Sequence, residues 1–358
     1  MKYVDQNKDE FIFVPKRFKP LSYQQLLLAE QKKDRTYKLE ASIEDIEINQ
    51  TAQPQEKLPH GNLEATVRFH QPLSLYALVE GGWLPPPFVS PTNLFFDRNV
   101  FPRLKSIINK SKDTEDYDWW LRFISDKDLT VNPLVYAYEG NQRKAPTLVE
   151  FKTSYEEAAK IASDAFPQAK IIHYSDQAYS EVYKFIDQLA ERRARETEFL
   201  LKTSPWIEKS KRPSQQPQLE EDVLNAARKL ILNLESFVVI ATLSCVYEAK
   251  SGRLSSPARL LLKPHKNQAA DKYNALADLF ALELFVGAMA LAKTGFEPFS
   301  FCTCDKPLAL FACGLDLHQA EFGATGLNVK FNITEELFPT LSPDERARLI
   351  QRISRLGG

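Results

Sequence analysis

Cysteine is scarce, with four residues in a chain of 358. That count excludes a disulfide framework and points to a reducing compartment. A secretory leader is missing as well: MKYVDQNKDEFIF is charged and has no apolar h-region. No sign of charge dominates, because 46 Lys and Arg face 47 Asp and Glu. Bulk charge therefore names no polyanionic partner, although a local basic patch can still bind phosphates. An uninterrupted membrane-length apolar run is also lacking. The longest, LADLFALELFVGAMALA, is broken by Asp278 and Glu283, the pattern of a packed helix that carries acids. Together these absences predict a cytoplasmic protein with no membrane partner. The histidines at 60, 70, 173 and 265 have no paired ligand spacing. Cys302 and Cys304 flank one residue on a β-like run, with Cys313 and His318 downstream. That spacing departs from the C-x₂₋₄-C of zinc sites and suits buried packing. No repeats and no convincing nucleophile–base pattern are present.

What is there suits a sizeable core: 44% of residues are hydrophobic and 26% charged, close to ordinary globular usage. Residues 1–90 read as an N-terminal β-rich accessory module, open to a protein partner. KLEASIEDIEINQ and NLEATVRFH alternate in polarity, the polar TAQPQEKLPHGN between them reads as a loop, and GGWLPPPFVSP reads as an extended connector. From residue 91 strands alternate with helices: TNLFF, a helix from Val100 to Ile108, DLTVNP, the helix LVYAYEGNQ, the helix SYEEAAKIASDAF, and the strand QAKIIHYS. A mainly helical stretch spans about 175–265, with ERRARE on a solvated face. A long helix follows over roughly 270–293, then the strand FSFCTC, the helix KPLALFACGL and a last strand, GLNVKFNI. Residues 342–358 form an amphipathic terminal helix, with Ser342 as cap and Pro343 in its first turn. This alternation predicts an α/β fold with a mostly parallel sheet flanked by helices.

In such sheets ligands sit at the carboxyl ends of the strands. There the sequence places acids. Asp97 ends TNLFF, with Asn99 two residues on. Glu139 lies in the helix after DLTVNP, Asp278 in the long helix, and Thr303 and Asp305 close FSFCTC. Four desolvated carboxylates repel one another unless a cation joins them. Mg²⁺ or Mn²⁺ suits an all-oxygen set, and such a site can activate water and clamp the oxygens of a phosphodiester. Each acid has a rival or a structural reading. Asp97 and Asp305 could cap the helices that follow them. Asp278 could pair with an arginine of the helical stretch, and Asp271 lies two turns earlier on nearly the same face. Glu150 competes with Glu139, and Glu283 is a more distant competitor. Cations follow or precede every acid. Arg98, Arg143, Lys263 and Lys306 are the candidates for a basic rim around a phosphate backbone.

FFDRNV, NPLVYAYE, ALADLFALELFVGAMAL and FCTCDKPLA together resemble the PIN-domain nucleases, over roughly residues 91–150 and 270–335. The resemblance implies a PIN-like, Rossmann-like domain over 91–341 with the helical stretch as a large insertion. It implies Asp97, Glu139, Asp278 and Asp305 as catalytic acids, with Asp97, Asp278 and Asp305 on the metal and Asn99 and Thr303 in support. The implied activity is two-metal-type phosphodiester hydrolysis, with RNA favoured over DNA. A PIN-like module that binds nucleic acid or protein without cleaving is the alternative.

Overall fold

The computed structural model describes residues 2–4, 10–31, 36–49, 56–69, 73–89, 93–109, 124, 129–140, 143–248, 256–295, 298–323 and 326–354. Among them lie three sheets. The N-terminal sheet is antiparallel and joins β1 (Lys2–Val4), β2 (Glu10–Phe18), β3 (Thr36–Asn49) and β4 (Glu56–Arg68) in sequential order. Helix α1 (Tyr23–Gln31) connects β2 to β3. The TAQPQEKLPHGN stretch, expected as a loop, instead supplies the start of β4 from Glu56, which pairs with Ile48. Its first five residues, 51–55, lie outside the described part.

The central sheet has six strands. These are β5 (Tyr76–Val79), β6 (Gly82–Leu84), β7 (Asn93–Phe96), β8 (Thr130–Asn132), β9 (Lys170–Ile171) and β10 (Phe299–Thr303). Their spatial order is β6-β5-β10-β7-β8-β9. The last four are mutually parallel, and β5 and β6 form an antiparallel hairpin on one edge. The GGWLPPPFVSP stretch is thus more than a connector. Trp83 and Leu84 are buried within β6, and only Pro86–Phe88 turn, as a short 3-10 segment. Residues 76–84, expected in the N-terminal module, belong to the central sheet. Leu21 bridges to Trp83, and the Tyr37 and Trp83 rings meet edge-on at 5.8 Å, so the N-terminal sheet shares the central core.

Helices cover the sheet where the sequence pattern predicts them. They include α2 (Phe101–Asn109), α3 (Leu134–Glu139) and α4 (Leu148–Ala165). The stretch expected to be helical contains α5 (Asp176–Gln188), α6 (Ala190–Ile207), α7 (Gln216–Lys229), α8 (Phe237–Val246) and α9 (Pro257–Leu262). Helix α10 (Ala269–Ala292) is long and apolar enough to cross a membrane, yet 67% of its most apolar window is buried inside the protein. It packs on the sheet, with Phe285 against Phe301 at 6.2 Å between ring centres. Helix α11 (Lys306–Gly314) follows β10. The expected last strand, β12 (Gly326–Phe331), pairs with an unforeseen partner, β11 (Leu317–Gly323). The terminal helix α12 spans Pro343–Ser354, and residues 355–358 lie outside the described part.

One topological feature places the site. From β7 the chain steps through β8 to β9 on one side, then returns to lay β10 on the other side of β7. The order therefore reverses between β7 and β10. In open parallel sheets the crevice outside the carboxyl ends at such a reversal is where ligands bind.

Candidate acidic site at the strand reversal

Asp97 leaves β7 at that crevice. The NLFF run before it is buried between helices, with Phe96 stacked on Phe166 at 5.8 Å and edge-on to Phe101 at 6.3 Å. The Asp97 N–H donates to the Cys302 carbonyl at 2.9 Å, tying the ends of β7 and β10 together. Its carboxylate is 2% exposed and accepts three hydrogen bonds. Oδ1 takes the Arg98 N–H at 2.7 Å, while Oδ2 takes the Thr303 hydroxyl at 2.5 Å and the Asn99 amide at 2.6 Å. A carboxylate offers about four lone-pair positions, so roughly one stays open.

Asn99 and Thr303 act as a brace across the reversal. Asn99 Nδ2 also approaches Thr303 Oγ1 at 3.3 Å, and Asn99 Oδ1 accepts the Cys304 N–H at 2.8 Å. Thr303 Oγ1 accepts the Asp305 N–H at 2.9 Å. The capping reading and the site reading of the two strand-end acids coexist. Asp97 caps the short turn at Arg98–Val100, and Asp305 Oδ1 accepts the Leu308 N–H at 2.8 Å at the start of α11.

Glu139 is the last residue of α3, which is separated by Pro133 alone from β8, the neighbour of β7. Gly140 ends the helix at φ 71°, where a Cβ would press to 2.8 Å from the Lys144 carbonyl oxygen. A side chain there would strain both backbone and neighbour. The Glu139 carbonyl accepts the Tyr273 hydroxyl at 2.9 Å, which joins α3 to α10. Asp278 stands on α10, partly exposed, and has no ion-pair partner among the described residues.

Asp97, Glu139 and Asp278 each feel burial and a neighbouring carboxylate. Burial, followed by the charges of Asp97, Asp305 and Glu139, pushes Asp278 well above the usual carboxylate range, and Lys263 opposes this. Burial lifts Glu139 to about 7, with Asp97 adding and Arg98 opposing. Burial also lifts Asp97 to about 6. Its bond from Thr303 is the largest opposing effect, Asp305 adds, and the bonds from Arg98 and Asn99 oppose. Burial without a counterion thus favours the protonated forms of Asp97, Glu139 and Asp278. Among the described residues, no three His, Cys, Asp or Glu side chains are gathered closely enough to hold an ion by themselves.

The rival acids are accounted for elsewhere. Glu150 closes a capping box with Thr147 and lies near Lys144 at 3.7 Å. Asp271 pairs with Arg143 at 3.6 Å. Glu283, not Asp278, is the α10 acid that pairs with an arginine of the helical stretch, Arg192. Of the rim cations, Arg98 lies over the Tyr136 ring at 4.5 Å. Lys263 is exposed in a left-handed turn just after α9. Lys306 opens α11, immediately after Asp305. Arg143 is committed to Asp271. The cysteines are core atoms: Cys302 and Cys313 are buried, and burial drives both thiols upward.

ERRARE, read as a solvated face, departs most from expectation. Arg192 bonds Glu196 at 2.8 Å, and the guanidinium of Arg193 is shielded from solvent. Arg193, Glu196 and Leu200 recur at helical spacing on one face, and that spacing was the available signal.

Compared with known proteins, the chain matches no family model, no curated protein and no solved structure. The chemistry of the crevice therefore rests on its own residues.

Proposed function

We propose that this chain is a PIN-like nuclease that hydrolyses phosphodiester bonds with Mg²⁺ or Mn²⁺ in the crevice, RNA being the favoured substrate. One observation carries this reading. Asp278, partly exposed on an apolar helix, has no ion-pair partner among the described residues, and burial together with acids from three other segments pushes its pKa upward. Leaving a charge unpaired in a protein interior costs several kcal/mol, on the order of what a pairing partner would offset. The donors are all carboxylate oxygens, which suits a hard divalent ion. Asp97, Asp278 and Asp305 would hold it, one or two at a time, with water and substrate phosphate completing the shell. The bound ion supplies an activated water and a clamp on the phosphate oxygens. Asn99 and Thr303 keep Asp97 in place and leave one of its lone-pair positions open. Glu139, whose pKa burial raises in the metal-free chain, would stand beside the bound ion as the residue to take a proton from water. Arg98, Lys263 and Lys306 would meet the phosphate backbone, with Arg143 joining if Asp271 releases it.

The second reading is a PIN-like module that binds nucleic acid or protein without cleaving. The capping bond of Asp305 and the lack of a tight acidic trio favour it. Cleavage of mixed RNA and single-stranded DNA with Mn²⁺, by wild type and Asp97→Asn, separates the two. Hydrolysis by the wild type that falls at least about 100-fold in the variant supports the nuclease, a loss worth several kcal/mol of transition-state stabilisation. Equal activity of the two proteins points to another site, and no activity in either points to the binding module.

A further inference from the structure

A guanidinium buried without hydrogen bonds is costly, and native proteins rarely keep one without a reason. Arg193 on α6 comes close to that case: among the described residues Nε, Nη1 and Nη2 are all shielded and find no well-formed acceptor, with the Tyr273 hydroxyl as the polar neighbour that feels them. Its charge faces rings instead. The guanidinium carbon lies 4.0 Å from the centre of Tyr138, 4.9 Å from Phe280 and 5.7 Å from Tyr273. All three distances fall within cation–π range.

Those rings belong to two helices. Tyr138 precedes Glu139 on α3, while Tyr273 and Phe280 flank Asp278 on α10. Tyr138 and Phe280 stack at 4.0 Å and 21°, and the Tyr273 hydroxyl holds the Glu139 carbonyl at 2.9 Å. Arg193 thus enters from a third helix at the joint between the carriers of two crevice acids. A neutral side chain of the same length could fill the space but would not attract three ring faces.

We propose that Arg193 is a positioning residue: its guanidinium pins α3 against α10 and so fixes Glu139 relative to Asp278. This rests on the crevice being the hydrolytic centre. The test compares full-length wild type, Arg193→Met and Arg193→Lys by hydrogen exchange and by Mn²⁺-dependent cleavage of single-stranded RNA. Arg193→Met should speed exchange in residues 133–140 and 269–282 together. It should lower kcat about 10- to 100-fold, the cost of misplacing a catalytic group by about an ångström, with KM within about 2-fold. Arg193→Lys, which keeps a cation over the rings, should restore kcat to within about 5-fold of wild type. An unchanged kcat in Arg193→Met, or a kcat equally low in both variants, overturns the pin. If the wild type does not cleave, the nuclease reading fails and exchange alone decides. Joint loss of protection in both segments supports the pin, and protection unchanged in either one overturns it. Should Arg193→Met not fold, Arg193→Gln, which keeps a polar side chain but loses the charge, carries the test. Faster exchange in 133–140 and 269–282 together supports the pin, and unchanged exchange in either one overturns it.

Discussion

The helical stretch and the strand-reversal crevice both bury acids, but among the described residues only those of the first are hydrogen-bonded to arginine side chains. Glu248, 7% exposed, bonds Arg259 at 2.5 Å and also accepts the Ser256 N–H at 2.9 Å. Arg259 in turn donates to the Ile207 and Cys245 carbonyls, so its charge is spread over several acceptors. Glu220, equally buried, meets Arg352 and the Tyr247 hydroxyl. Burial still lifts the pKa of Glu196, and Arg192 is the largest opposing effect. In the crevice, Asp97 receives only neutral donors and Asp278 receives none among the described residues. The same chain therefore solves buried charge by pairing in one place and leaves it open in another. Where only stability is at stake, an arginine suffices. An open set of acids leaves room for a cation that the protein does not supply.

Substitutions that break the contrast should have opposite signs. On the paired side, Arg259→Met strands Glu248 and should destabilise the chain by about 3–5 kcal/mol, read from urea unfolding. On the open side, Asp278→Asn relieves repulsion. In EDTA at pH 8 it should raise the urea midpoint, since burial and the neighbouring acids disfavour the charged form of Asp278. The same variant should lose cleavage, separating function from fold.

The pH dependence follows from the raised acids. Asp97 and Glu139 move from ordinary values of 3.8 and 4.5 to about 6 and about 7. Between those limits the folded chain holds more protons than the unfolded one, so their contribution is complete below about pH 4 and is lost as pH rises through about 7. Urea midpoints of the metal-free chain should fall over that window, and Asp97→Asn should flatten the fall. The smallest effect belongs to Glu150→Gln. It perturbs a capping box that glutamine can also close, should barely move the urea midpoint, and should leave cleavage unchanged.

Local chemistry made much of this visible in advance. FFDRN and FCTCD announce strand, polar end and turn within a few residues, and the structure brings those ends together through Asn99 and Thr303. The terminal helix and α10 carry their own periodicity and stops. Long-range choices left no such mark. Whether GGWL lies in a connector or in an edge strand depends on a partner strand that pairs through β5 with β10, more than two hundred residues away. The EKLPHGN segment carries loop residues yet is held in β4 by β3 across from it. Which acid of α10 an arginine of the helical stretch would claim turns on helix rotation rather than composition, and Arg192 takes Glu283. Arg193 looked solvated because its aromatic partners lie far from it in sequence.

The central claim is that the open acids of the crevice take a divalent cation. Titrating Mn²⁺ into full-length protein and following the free-ion signal by electron paramagnetic resonance tests it most directly. The expected result is one or two bound ions per chain in the wild type and loss of that binding in the Asp97→Asn, Asp278→Asn double variant. No binding by the wild type, or binding unchanged in the double variant, would contradict it.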